Sequence, residues 1–128
     1  MILLTGVDLV DVTELTRMIE LTGDAFLESS WTSAERLYCA GRVDQLASRW
    51  AAKEAAMKML GQGVGQISPL EIEVAAAEGE RPRLLLRGTA DSRARQLGLD
   101  MWSVSLTHAG QWALAFVVGM GSADDGSR

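Results

Sequence analysis

The chain has 128 residues, 48% of them apolar, and a formal net charge of -5. That is the length of one ordinary domain with enough apolar content to fill a core. An acidic balance argues against nucleic acid as a partner, because duplex binding rests on neutralising phosphates with a basic face.

The start, "MILLTGVDLVDV", has no basic residue and meets Asp8 early, so it predicts neither a secretory leader nor a membrane span. A cytoplasmic protein is expected. Ile2, Leu4, Gly6 and Asp8 alternate with Leu3, Thr5 and Val7, as a half-buried strand requires, with Asp8 at its end. Asp11 and Glu14 have capping-box spacing before a helix that reaches Gly23, and Thr32 and Glu35 repeat that signature before a short helix stopping near Gly41. Val43, Leu46, Trp50, Met57 and Leu60 recur at helical steps and predict the longest helix, from Val43 to Leu60, with Gly61 as its C-cap.

Beyond the glycine loop "GQGVG", the segments "EIEVAAA" and "PRLLLRG" read as strands joined by a turn around Glu78, Gly79 and Glu80. Thr89 fits the N-cap of a helix through Leu97, ended by Gly98. "MWSVSLTH" and "QWALAFVV" form a terminal hairpin, with Trp102, Val104, Leu106 and His108 on one face. The fold class is therefore α+β, a mainly antiparallel sheet packed on a long central helix, over a single domain 1–120 followed by a disordered tail 121–128. The glycines of "GQGVG" follow a helix, which excludes a Walker A or Rossmann fingerprint there. Cys39 is the sole cysteine and can form no internal disulfide.

The chain's two lysines, Lys53 and Lys58, flank Glu54. Glu54 and Lys58 share a helix face at i, i+4, a pair that also decorates ordinary exposed helices. Glu54 lies beside the apolar stripe and can meet another element, for which Asp8 is the natural counterpart. Two hard oxygen donors from separate elements, with water and phosphate completing the shell, suit Mg²⁺. Taken alone, Asp8 reads more readily as a turn residue closing its strand than as a metal ligand. Lys58, Lys53 and Arg49 supply the local positive charge that a phosphorylated ligand needs, "GQGVG" offers backbone for close approach, and His108 can donate to phosphate from the hairpin.

Three separated segments, "TGVDLVDV", "SRWAAKEAAMKMLGQGVG" and "VSLTH", together resemble the holo-acyl-carrier-protein synthase family of small phosphopantetheinyl transferases, in order and spacing from Ile2 to about Met120. The resemblance implies transfer of the 4′-phosphopantetheine arm of coenzyme A to a serine of an apo acyl or peptidyl carrier protein, of fatty-acid or polyketide assembly, with release of adenosine 3′,5′-bisphosphate. It further implies Mg²⁺ and a homotrimer with active sites between subunits. On the matching motifs, Asp8 and Glu54 resemble the metal carboxylates, with Glu54 also a base for the serine, and Lys58 the pyrophosphate-binding lysine. Arg49 and His108 resemble contacts to the coenzyme A phosphates, and Gly63 and Gly65 belong to the loop near the nucleotide.

The family commonly presents a basic first helix, whereas residues 11–28 here hold Asp11, Glu14, Glu20, Asp24 and Glu28 against Arg17 alone. A carrier less acidic at its contact helix, or one held by Met18, Phe26 and Leu27, is expected. Two other readings compete: a catalytically silent homologue that scaffolds a carrier protein, and a small nucleotide-binding phosphoesterase.

Overall fold

The structure is a computed structural model that describes residues 1–77 and 79–122. Five strands and five helices follow in the order β1 (Ile2–Asp11), α1 (Val12–Thr22), α2 (Asp24–Ser30), α3 (Ser33–Cys39), α4 (Val43–Leu60), β2 (Ile72–Ala75), β3 (Arg83–Leu86), α5 (Gly88–Gln96), β4 (Met101–Ala109) and β5 (Trp112–Gly121), with a single 3₁₀ turn at Pro69–Glu71. Both sheets are antiparallel, one of three strands in the order β1-β5-β4 and one of two, β2-β3. The first strand therefore pairs with the last, Ile2 opposite Gly121 and Asp11 opposite Trp112. The Nε1 of Trp102 donates to the Leu84 carbonyl at 2.8 Å and ties the small sheet to the large one.

α4 is the axis of the molecule. Its Ala47, Ala51, Ala52, Ala55 and Ala56 are all fully buried, and the sheet answers with Gly6, Ala113, Ala115 and Gly119 on its inner face. Small side chains on both surfaces let backbone approach backbone. At Gly6 the fit leaves no space, since an added Cβ would collide with the Ala55 carbonyl. Met57, Met59 and Leu60 fill the far end of the core, and a cluster of Phe26, Trp31 and Trp50 closes the near end with ring centroids 5.2 to 5.8 Å apart.

The predicted bounds of α4 and its cap at Gly61 (φ 72°) are those observed. Asp11 caps α1 by accepting from the Thr13 and Glu14 amides, and Thr32 with Glu35 forms a full capping box on α3. Two local expectations need correction. Asp8 does not end its strand: β1 continues to Asp11, because Leu9 and Val10 keep the alternation and pair with Leu114 and Ala113. Thr89 does not cap α5, which starts at Gly88, and its amide is taken instead by the Glu71 carboxylate at 3.0 Å from the adjoining 3₁₀ turn. α2 was not expected, having no periodic apolar run of its own. β5 runs one residue past the expected boundary at 120, while Glu78 and the tail 123–128 lie outside the described residues.

Candidate functional site

Asp8 and Glu54 meet. Asp8 lies on the same side of β1 as Gly6 and Val10, the side facing α4, and the near-contact of Gly6 with Ala55 sets the strand against the helix one residue from Glu54. The two carboxyls are within hydrogen-bonding reach of each other. Burial, then the hydrogen bond to Asp8 and the Asp8 charge, push the Glu54 carboxyl up to about 7, with Lys58 pulling the other way. Two acids this close cannot both ionise without a compensating cation.

Lys58 provides part of that compensation. Its Nζ lies 3.0 Å from the Asp8 carboxylate and donates to the Val7 carbonyl, also at 3.0 Å. Its side chain is 59% exposed, against 13% for Asp8, so the ammonium group can turn outward while the acid stays anchored. Beyond Lys58 a cavity of about 240 Å³ is lined by Met57, Lys58, Gly61, Gln62 and Gly63. Space around Gly63 and Gly65 is open, with nothing within 4 Å of where a Cβ would stand, so the loop leaves bare backbone beside the lysine.

The donor set suits a hard divalent ion. Two carboxylates from different elements converge, and among the described residues no cluster of three or more His, Cys, Asp or Glu exists to hold zinc. Asp8 and Glu54 are the two residues that would hold such an ion, Mg²⁺ being the one their hard oxygens suit.

Arg49 and His108 lie elsewhere on the chain. Five residues separate Arg49 from Glu54 on α4, a rotation of about 140° that sends the two side chains off different flanks. Arg49 lines a cavity of about 220 Å³ with Tyr38, Gln45, Ser48, Glu80 and His108 among its walls. Its guanidinium lies over the Tyr38 ring, 4.6 Å from the centroid, and donates to Gln45 Oε1 at 2.7 Å. The Nε of this arginine is itself buried and has no hydrogen-bond partner among the described residues, so one donor of the guanidinium is unspent. Tyr38 and Gln45, which build this cavity, carried no signal in the sequence beyond helical spacing.

Lys53 belongs to neither place, which corrects its expected role in ligand binding. It is fully buried, 2.7 Å from Glu35, and donates to the Pro69 and Ile72 carbonyls at 2.8 and 2.6 Å. Glu35 in turn accepts from the Thr32 and Val74 amides. Burial lowers the Lys53 pKa while Glu35 raises it. The pair joins α3, α4 and β2 inside the core, while Glu54, the next residue, leaves the helix about 100° around from it and meets Asp8 instead.

Residues 5–117 match the model of the 4′-phosphopantetheinyl transferase superfamily, and the chain belongs to that family. Within it the chain is 46% identical over 126 residues to a holo-[acyl-carrier-protein] synthase of Herpetosiphon aurantiacus, covering 93% of this chain and 99% of the relative. It is 43% identical over 102 residues to a holo-[acyl-carrier-protein] synthase of Roseiflexus castenholzii, covering 75% of each. The fold superposes on the ACPS–CoA complex of Chronobacterium ammoniagenes with a TM-score of 0.85 and 27% identity, covering 96% of this chain and all of that one.

Proposed function

We propose that this chain is a holo-[acyl-carrier-protein] synthase: it transfers 4′-phosphopantetheine from coenzyme A to a serine hydroxyl of an apo carrier protein. The observation that carries the reading is the convergence of Asp8 from β1 with Glu54 and Lys58 from α4, beside an open glycine loop. The serine Oγ attacks the phosphorus that bears the pantetheine arm, and the bond from that phosphorus to the bridging oxygen breaks. Adenosine 3′,5′-bisphosphate leaves with the bond electrons, and the serine proton passes to Glu54 directly or through a water.

Such a displacement needs alignment and charge neutralisation more than covalent help. Asp8 and Glu54 would hold Mg²⁺, and the chemistry it would supply there is charge neutralisation of the diphosphate. Lys58 turns from Asp8 onto the diphosphate, and the bare backbone at Gly63 and Gly65 lets the nucleotide approach the loop. Arg49 and His108 receive a coenzyme A phosphate in their own cavity.

Because that cavity opens off a different flank of α4, the reading extends to a homotrimer in which one subunit's Arg49 and His108 complete a neighbour's Asp8, Glu54 and Lys58. The outer face of the large sheet supports association. Leu3, Val7, Leu9, Met101, Trp112 and Phe116 are 43 to 61% exposed there, a contiguous apolar surface that a soluble monomer seldom leaves open. No described helix is long and apolar enough to cross a membrane, and use of coenzyme A implies a cytoplasmic enzyme.

Mass spectrometry of an apo carrier incubated with coenzyme A and Mg²⁺ tests the reading. The expected result is a phosphopantetheine mass shift, abolished by Glu54→Gln and reduced about 100-fold or more by Lys58→Ala. An unmodified carrier would leave a silent scaffold, hydrolysed coenzyme a phosphoesterase, and full activity in either variant would remove these residues from the reaction.

A further inference from the structure

α4 ends where the cavity beyond Lys58 begins. Met57, Gly61, Gln62 and Gly63 are the other walls of that cavity, so it opens over the last turn of the helix. This is the unfavourable end for an anion, because the carbonyls of a C-terminal turn carry the negative pole of the helix, equivalent to roughly half an elementary charge. Two of those carbonyls are closed off by the chain that follows, Met57 accepting from the Gln62 amide at 3.1 Å and Lys58 from the Gly61 amide at 3.2 Å. The Leu60 carbonyl is met from another element. Arg93 of α5 donates its Nε–H to it at 2.8 Å, the way a basic side chain closes a helix end.

Arg93 differs from the arginines around it. Arg87 pairs with Glu73 and Arg95 with Asp91, each at 3.0 Å. Arg93 has no carboxylate within ion-pair distance among the described residues, and its only other side-chain contact by hydrogen bond is Gln96 Oε1, at 3.5 Å. Its Nη2 stands 3.6 Å from where a Cβ of Gly61 would be, so an unpaired guanidinium lies against the first residue of the glycine loop. Farther along, the loop is held by Gln66, whose Oε1 accepts from the Gly63 amide at 3.2 Å, and by the fully buried Ile67.

We propose that Arg93 is a positioning residue for coenzyme A: it fixes the Leu60 carbonyl and Gly61 and offsets the negative pole of α4, so that Lys58 and the loop can receive the diphosphate. The proposal rests on the transferase reading, which seats the diphosphate at Lys58, and adds a residue from an element outside that site. Arg93 acts through the helix end and needs no contact with the coenzyme. A charge at a helix terminus shifts an equilibrium by about three- to tenfold.

Transfer to an apo carrier with Mg²⁺, coenzyme A and carrier being varied in turn, tests it on Arg93→Gln, Arg93→Lys and Arg95→Gln. Arg93→Gln is expected to raise KM for coenzyme A about three- to tenfold while KM for the carrier and kcat stay within about twofold of the parent chain. Arg93→Lys, which keeps the charge, should recover most of that loss. Arg95→Gln removes the same charge from a 79% exposed side chain on the same helix and should leave KM for coenzyme A as it was. An unchanged KM for coenzyme A in Arg93→Gln, or an equal rise in Arg95→Gln, would overturn the proposal while leaving the transferase intact. So would both KM values rising together as kcat and Tm fall, with no recovery in Arg93→Lys, the pattern of a loosened fold. A parent chain that never adds the phosphopantetheine mass to a carrier would instead sink the transferase reading, and this proposal with it.

Discussion

Glu54 carries its proton well above the range of a free carboxyl, and the cause is local: burial first, then Asp8. The sign of the consequence follows from linkage. In the metal-free protein the folded chain holds this proton up to about 7 while the unfolded chain releases it near 4.5. The stabilisation is therefore full below the unfolded value and is lost as pH rises through the folded one. Thermal melts without metal should show Tm falling from about pH 4.5 to about pH 7 and levelling off above that, and Mg²⁺ held by the two ionised acids of the proposed site should raise Tm more at the higher pH. The same slope and the same metal effect in Glu54→Gln would assign the titration to another group.

At the scale of elements, the site depends on how closely β1 crosses α4. Gly6 permits contact with Ala55 and Met59, and Asp8 is delivered to Glu54 and Lys58 two residues later. A methyl at Gly6 has to push against helix backbone, which cannot yield as a side chain tip would. Gly6→Ala should destabilise the fold by about 1–3 kcal/mol or more, and should weaken Mg²⁺ binding in whatever fraction remains folded. Chemical denaturation and calorimetric titration with the metal would measure the two effects, and a wild-type melt with weakened metal binding would separate positioning from stability.

Much of this crossing was legible in the sequence. Alternation separated the two faces of β1 without telling which one meets the helix, and periodicity placed α4 at about Val43 to Leu60, because both elements repeat over many positions. The hydrogen-bonded partner of β1 was not legible, since pairing of the first strand with the last leaves no local trace. Lys53 misled for a related reason. It is one residue from Glu54 in a run of alanines that favours no face, yet its partner Glu35 and its carbonyl acceptors come from segments 16 to 19 residues away. A buried ion pair of this kind can be recognised only once the elements are assembled. The cavity around Arg49 escaped for the same reason, having walls drawn from α3, α4, β4 and the loop before β3.

For the whole molecule, the two flanks of α4 carry different halves of the proposed chemistry: paired acids and a lysine on one, an arginine with an unspent donor on the other. The exposed apolar sheet face gives copies of the chain a reason to associate, and a cyclic arrangement would bring unlike flanks together. Division of labour of this kind allows two crippled chains to rescue each other. Glu54→Gln and Arg49→Ala chains, each inert alone, should regain activity when co-expressed, because at about a quarter of the junctions in a random mixture both undamaged halves would face one another. A mixture as silent as its components would mean that each subunit works alone.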